Sequence, residues 1–354
     1  MVSQNLAEAA RNASAASARL RPVRLGPADV TLERRPDGII ILRSPHALER
    51  YPDKLTLRLE HWAATAPDRV FIAQRTAAGE WRKLTYAQTL AQVRGIAQAL
   101  LSRQLSVERP IAILSGNDIE HALLGLAAMV TGIPYAPISV PYSLLSTDFG
   151  KLKSIVADLT PGLVFVSDGT PFARAIDAAV PLDVEIVVTA NPLGNRSTTP
   201  FADLIATKPT AAVEVAHAKV GPDTIAKILF TSGSTGQPKG VINTQRMLCA
   251  NQAMIRSGLA FVGDEPPTIV DWLPWNHTFG SNHNFNLVLD NGGALYIDEG
   301  KPLPGAIVAG QLFYFGQCHV GDRRNLQQPA GQCDRVSHQH HQPARRAARG
   351  VTIA

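Results

Sequence analysis

The stretch Ile225–Val241, IAKILFTSGSTGQPKGV, constrains the fold more than any other part of the chain. Its apolar, β-branched beginning predicts a strand, and this strand leads into a loop of hydroxyl side chains and glycines. Glycines let a backbone turn tightly and approach a ligand, while hydroxyls, backbone N–H groups and a lysine ammonium can bind phosphate oxygens. The candidate phosphate-binding residues are Thr231, Ser232, Gly233, Ser234, Thr235, Gly236, Lys239 and Gly240.

The spacing within this loop excludes two common phosphate-binding motifs. A Walker loop has glycine before its lysine and serine or threonine after it, whereas Lys239 lies between Pro238 and Gly240. A dinucleotide-binding loop has the pattern G-x-G-x-x-G, which the glycines at 233, 236 and 240 do not follow. An ordinary surface turn is the alternative. Four hydroxyls, three glycines and one lysine within ten residues favour the phosphate site.

The string TSGSTGQPKG resembles the ATP-phosphate signature of the adenylate-forming (AMP-binding) ligases, which include acyl-CoA synthetases, luciferases and the adenylation domains of peptide synthetases. The resemblance covers about residues 57–305 and includes HWAATAPDRVFIA, LTYAQTL and SGNDIEHALLGLAAMVTGIPYAPIS. It implies an α/β fold, that of the N-terminal domain of such a ligase, with mostly parallel sheets flanked by helices. The alternation of strand and helix patterns after residue 70 independently predicts the same class.

Local patterns predict several individual elements. Val70–Gln74 and Glu80–Leu84 are expected to form a hairpin, and Thr85 with Gln88 forms a capping box that opens a helix. Asn117 is expected to start the next helix. A single helix is predicted over Leu144–Leu159, and Asn191–Pro222, rich in Pro, Thr and Ala, is predicted to be a linker.

A second candidate site is Asp271–Asn286, DWLPWNHTFGSNHNFN, where a predicted strand ends before an Asn-rich helix. By the resemblance, His277 occupies the position between the adenylate and the acyl pocket, which gives it a catalytic role. An ordinary hydrogen-bonded loop histidine is the alternative. Zinc binding by His277 and His283 is disfavoured, since residues six apart do not share a helix face. No metal site is predicted.

The segment WLPWNHTFGSNHNF is most similar to feruloyl-CoA synthases, which activate hydroxycinnamic acids. The resemblance implies that a carboxylate attacks the α-phosphate of ATP, giving an acyl-adenylate and pyrophosphate, and that the thiol of coenzyme A then displaces AMP. ATP, Mg²⁺ and coenzyme A are the expected cofactors and co-substrates. A catalytically inactive, nucleotide-binding fragment of such an enzyme is the alternative.

Charge and cysteine usage limit the partners and the compartment. The net charge is +5, of which six Arg and two Asp after residue 305 supply +4, so a nucleic-acid partner is not expected. Three cysteines form no disulfide framework, which suits a cytoplasmic location. The uncharged run His121–Thr147 contains three prolines, so it is not predicted to span a membrane. The oligomeric state cannot be predicted.

Four segments are predicted along the chain. Residues 1–48 form a partly disordered N-terminal extension, 49–215 the first α/β subdomain of the AMP-binding domain, and 216–305 its phosphate-loop segment. Residues 306–354 contain no Lys or Glu and show little apolar periodicity, so this irregular tail is predicted not to be the native continuation. Such a change is what an out-of-frame reading produces, and the enzyme is then truncated and incomplete for catalysis. Translating the coding DNA past Gly305 in the other two frames tests this expectation.

Overall fold

The computed structural model describes residues 22–231 and 236–298, so the predictions for residues 1–21 and 306–354 lie outside the described part. Its strands are β1 (Thr31–Arg34), β2 (Ile40–Arg43), β3 (Val70–Arg75), β4 (Trp81–Thr85), β5 (Ile111–Ile113), β6 (Tyr135–Pro137), β7 (Leu163–Asp168), β8 (Glu185–Ala190), β9 (Thr199–Pro200), β10 (Ile225–Thr231), β11 (Lys239–Thr244), β12 (Thr268–Asp271) and β13 (Ala294–Ile297).

The α-helices of the described residues are α1 (Thr56–Thr65), α2 (Tyr86–Leu101), α3 (Ile119–Thr131), α4 (Pro141–Leu144), α5 (Gly150–Leu159), α6 (Gly169–Ala179), α7 (Phe201–Ala206), α8 (Ala211–Lys219), α9 (Gln245–Gly258) and α10 (Asn286–Asp290). A short 3₁₀ helix covers Ala260–Gly263, and a π-helix covers Phe279–Phe285, directly before α10. No described helix combines the length and the apolar character needed to span a lipid bilayer.

Two larger sheets form the body of the fold. The first has the order β11-β10-β6-β5-β7-β8-β9, and all its pairs are parallel except the β10–β11 hairpin. The second has the order β12-β13-β3-β4, in which β4 alone runs antiparallel to its neighbour. A separate two-stranded ribbon is formed by β1 and β2. The predicted α/β class with mostly parallel, helix-flanked sheets is confirmed.

Alternate residues of the parallel strands enter two different apolar cores. In β5, Ile111 and Ile113 belong to a core shared by both larger sheets, together with apolar residues of α2 and α3. Ala112, between them, and Leu114, just after β5, belong to a second core beneath α5 and α6. A parallel sheet covered by helices on both faces has such continuous apolar strands, because neither face meets water.

Some predicted helix boundaries are confirmed and others are corrected. The capping box of Thr85 and Gln88 is present at the start of α2. Asn117 does not cap α3; the Asp118 side chain does so by accepting the His121 N–H. The predicted helix Leu144–Leu159 begins only at Gly150, because α4 ends at Leu144 and Phe149, directly before α5, has a φ of 55°, which interrupts helical geometry. The predicted linker Asn191–Pro222 contains β9, α7 and α8.

Candidate functional site

The candidate phosphate loop joins β10 to β11. Thr231 is the last residue of β10 and pairs with Lys239, the first residue of β11. Lys239 and Gly240 were predicted in the loop but begin a strand, because their backbones continue the hairpin ladder. The Lys239 side chain is exposed. Residues 232–235 (Ser232, Gly233, Ser234 and Thr235) lie outside the described part of the chain.

The structure describes two glycines of the motif, Gly236 and Gly240, and a different structural feature favours glycine at each position. Gly236 has a φ of +80°, a left-handed conformation that glycine adopts without strain, so it serves the turn. At Gly240 a Cβ would lie 3.0 Å from Ile228 Cγ2 and 3.4 Å from Phe230 Cε1. Glycine at 240 is therefore favoured by packing across the hairpin, whereas the sequence predicted that it permits close approach of a ligand.

His277 lies in the exposed turn between β12 and the π-helix. Its backbone N–H donates to the Pro274 carbonyl at 3.1 Å, and its own carbonyl accepts the Ser281 N–H at 3.0 Å. The Phe279 N–H donates to Nδ1 of the ring at 3.3 Å. In the neutral ring this bond places the proton on Nε2, so Nε2 is the N–H donor of this exposed residue.

The hairpin and the His277 segment are joined by asparagine side chains. Asn243, in β11, accepts a hydrogen bond from Asn282 Nδ2 at 2.9 Å, and the same Nδ2 contacts the Thr278 hydroxyl at 3.1 Å. Gln252, in α9, donates to the Asn282 carbonyl at 2.7 Å. These contacts place the two predicted site segments in one region. Sequence reasoning noted the Asn-rich helix but did not identify Asn243 or Asn282 as its connection to the hairpin.

A buried carboxylate fixes the start of the His277 segment. Asp271, at the end of β12, is 3% exposed. It accepts the Leu273 N–H at 3.1 Å and Asn284 Nδ2 at 2.8 Å. Burial raises the pKa of Asp271 to about 6, although these hydrogen bonds oppose the shift. The carboxylate thus ties the end of β12 to the π-helix.

A lysine is completely buried behind the π-helix. Lys227, in β10, donates from Nζ to the Ser281 hydroxyl at 2.7 Å and lies 5.6 Å from the centre of the Tyr135 ring. Burial lowers the pKa of Lys227 to about 7. A lysine within an otherwise apolar strand was the available sequence signal, and it was not used.

Within 22–231 and 236–298 no group of three or more His, Cys, Asp or Glu side chains could hold a metal ion.

With this geometry in place, comparison with known families identifies the class of the protein. The model of the AMP-binding enzyme family matches residues 59–310, which is more than half of the chain. The chain therefore belongs to the AMP-binding enzyme family.

Individual relatives are distant and much longer. A propanoyl:CoA ligase of Rhodococcus jostii (strain RHA1), whose acyl group carries a 7a-methyl-1,5-dioxo-octahydroindenyl unit, is 26% identical over 221 residues, 60% of this chain and 42% of its own. The hybrid PKS-NRPS synthetase fsa1 of Fusarium sp. (strain FN080326) is 26% identical over 72% of this chain and 6% of its own length. ATP-bound MatB from Rhodopseudomonas palustris superposes with a TM-score of 0.55 at 25% identity, over 69% of this chain and 44% of MatB. The chain spans less than half the length of each of these relatives.

Proposed function

We propose that this chain provides the nucleotide-binding part of an enzyme that uses ATP to activate a carboxylic acid as an acyl-adenylate. The observation that carries the proposal is the β10–β11 hairpin, where Gly236 turns the backbone and the exposed Lys239 lies beside Thr231. The Asn243–Asn282 contact places this hairpin next to the His277 segment. Membership of the AMP-binding family and the likeness to ATP-bound MatB support ATP as the nucleotide.

In this proposal the hairpin binds the polyphosphate. Charge moves onto the leaving pyrophosphate as the carboxylate attacks the α-phosphate, and donors that are already in place stabilise that charge without reorganising. Among the described residues, the Lys239 ammonium and the Thr231 hydroxyl are the candidate donors to the pyrophosphate oxygens. Ser232, Gly233, Ser234 and Thr235 complete the proposed cradle by the sequence motif alone.

His277 is proposed to lie between the adenylate and the acyl pocket. Because the Phe279 N–H occupies Nδ1, the neutral ring carries its proton on Nε2. This N–H can donate to an oxygen of the acid or of the acyl-adenylate, which orients the carboxyl group. The role assigned to His277 in the sequence is thus compatible with its tautomer.

The proposed acid is a feruloyl-type hydroxycinnamic acid, and coenzyme A is the proposed acceptor of the acyl group. The support for this substrate is the similarity of WLPWNHTFGSNHNF to feruloyl-CoA synthases. Mg²⁺ is proposed to enter with the ATP phosphates, as the family resemblance implies, because Mg²⁺ in such sites is held mainly by phosphate oxygens and water. We also propose that the protein acts in the cytoplasm.

In the chain completed with the C-terminal part of a full-length relative, replacing Lys239 with alanine is expected to lower the rate of acid-dependent ATP–pyrophosphate exchange by about 10²-fold, because a preorganised cation at the phosphates is lost. Acid affinity, measured by titration, should change by less than about twofold, since Lys239 meets phosphate charge. Lys208→Ala is the matched control, because Lys208 is also exposed but lies between α7 and α8.

Equal losses of exchange rate and acid affinity in Lys239→Ala would contradict this assignment. ATP binding without exchange in the unmodified chain would favour the inactive nucleotide-binding fragment. Failure to bind ATP would overturn both functions.

A further inference from the structure

Asn117 lies in the loop between β5 and α3, but its side chain takes no part in capping the helix, because Asp118 has that role. Its amide instead reaches across to the other large sheet. Nδ2 donates to the Leu273 carbonyl at 2.7 Å, and Oδ1 accepts the Trp275 N–H at 2.9 Å. Both ends of the amide are thus bonded to the backbone that follows β12, more than 150 residues away along the chain.

The two bonded positions flank Pro274, which has no N–H of its own. The Pro274 carbonyl accepts the His277 N–H. The turn that carries His277 therefore starts at the residue between the two backbone groups that Asn117 binds. The first turn of the π-helix packs against the backbone of Leu273 and Pro274. A Cβ on Gly280 would come within 2.7 Å of both the Leu273 and the Pro274 carbonyl oxygens.

We propose that Asn117 is a positioning residue: its amide holds the Leu273–Trp275 backbone and thereby fixes the place of His277 beside the β10–β11 hairpin. The catalytic consequence of this inference rests on the proposed function. An amide with one donor and one acceptor suits the task, because the two backbone groups it meets are an acceptor and a donor. Free loop backbone groups would otherwise be satisfied by water and would define the His277 turn less strictly.

The test compares backbone hydrogen exchange in the parent chain, in Asn117→Ala and in Asn117→Asp. The informative amides are those of His277 and Ser281, which donate to Pro274 and His277 and do not touch Asn117. We expect Asn117→Ala to accelerate their exchange about tenfold. Asn117→Asp keeps the acceptor for Trp275 but places a carboxylate oxygen opposite the Leu273 carbonyl, so exchange of these amides should accelerate in this variant as well.

Asn195→Ala is the matched control, since Asn195 donates a similar amide hydrogen bond to Asp177 on the surface. Acid-dependent pyrophosphate exchange adds a kinetic measurement on the same variants of the completed chain. Asn117→Ala should lower kcat at least about tenfold and leave the KM for ATP nearly unchanged, because the hairpin is not touched. Asn195→Ala should change neither quantity.

Unchanged protection of His277 and Ser281 in Asn117→Ala would overturn the inference, whatever the activity. Lost protection with an unchanged kcat would overturn its catalytic part. If the parent chain shows no acid-dependent exchange, the proposed function fails, and the hydrogen-exchange result alone decides whether Asn117 positions the turn. Should Asn117→Ala fail to fold, Asn117→Asp provides the same comparison.

Discussion

Replacing Asp290 with alanine is expected to lower the free energy of unfolding by about 3 kcal/mol, because it removes the buried carboxylate that two partly buried arginines share. Asp290 ends α10 and is 3% exposed. Its carboxylate accepts Arg58 Nε of α1 at 2.9 Å and also binds Arg256 of α9. One carboxylate therefore joins three helices. Its loss removes the partner of Arg58 and leaves Arg256, among the described residues, only the exposed Glu49, 4.0 Å away.

The matched control is Asp264→Ala, which removes the carboxylate of the Arg24–Asp264 pair. That pair is surface-exposed, with 63% and 45% of its two side chains accessible, so its loss should cost no more than about 1 kcal/mol. Urea unfolding followed by circular dichroism measures both variants at one ionic strength. Comparable losses in the two variants would contradict the account of Asp290.

Replacing Lys227 with methionine is expected to raise the free energy of unfolding at pH 7, by about 2–4 kcal/mol. Burial lowers the pKa of Lys227 from 10.5 to about 7. Such a shift lowers the free energy of unfolding by roughly several kcal/mol at neutral pH. Methionine has a similar length and no charge to desolvate. The lost hydrogen bond to Ser281 offsets about 1 kcal/mol of the gain.

The pH dependence separates this cause from simple repacking. Between pH 7 and 10.5 the unfolded chain holds the Lys227 proton more tightly than the folded chain, so the stability of the parent rises with pH. The advantage of the methionine variant should therefore shrink from pH 7 to pH 9. Burial lowers the pKa of the neighbouring His121 to about 4, so His121 changes charge below this range.

Urea unfolding of the parent, Lys227→Met and Lys208→Met at pH 7, 8 and 9 provides the measurement. Lys208 is exposed, so its replacement should leave both the stability and the pH slope nearly unchanged. A Lys227→Met chain that is less stable than the parent at pH 7, or an advantage independent of pH, would show that the ammonium is well accommodated in the core.

Features set by neighbouring residues could be predicted from the sequence. The capping box of Thr85 and Gln88 needs only two residues three positions apart, and it is present. The parallel strands are continuous apolar runs between helices, so the fold class followed from their alternation. The strand β11 was missed because KGVINT has one short apolar pair and no alternating pattern. Its backbone hydrogen bonds to β10 stabilise it as a strand.

Features that depend on distant contacts could not be predicted. The pairing of β13 with β3 joins segments more than 200 residues apart, and no local pattern specifies it. The same holds for the candidate site. The sequence predicted Lys239 from its motif and His277 from the family resemblance, whereas the Asn243–Asn282 bond and the amide of Asn117 became evident only in the folded chain.

The central claim, that this chain takes part in ATP-dependent activation of a carboxylic acid, is tested most directly by ATP–pyrophosphate exchange. Because residues 306–354 are predicted to leave the enzyme incomplete, residues 1–305 joined to the C-terminal part of a full-length relative would be given ATP, labelled pyrophosphate and ferulic acid in a magnesium buffer, with octanoic acid and no acid as comparisons. The account predicts exchange that requires an acid and is faster with ferulic acid than with octanoic acid. Exchange that is absent with every acid, or that proceeds equally without one, would contradict it.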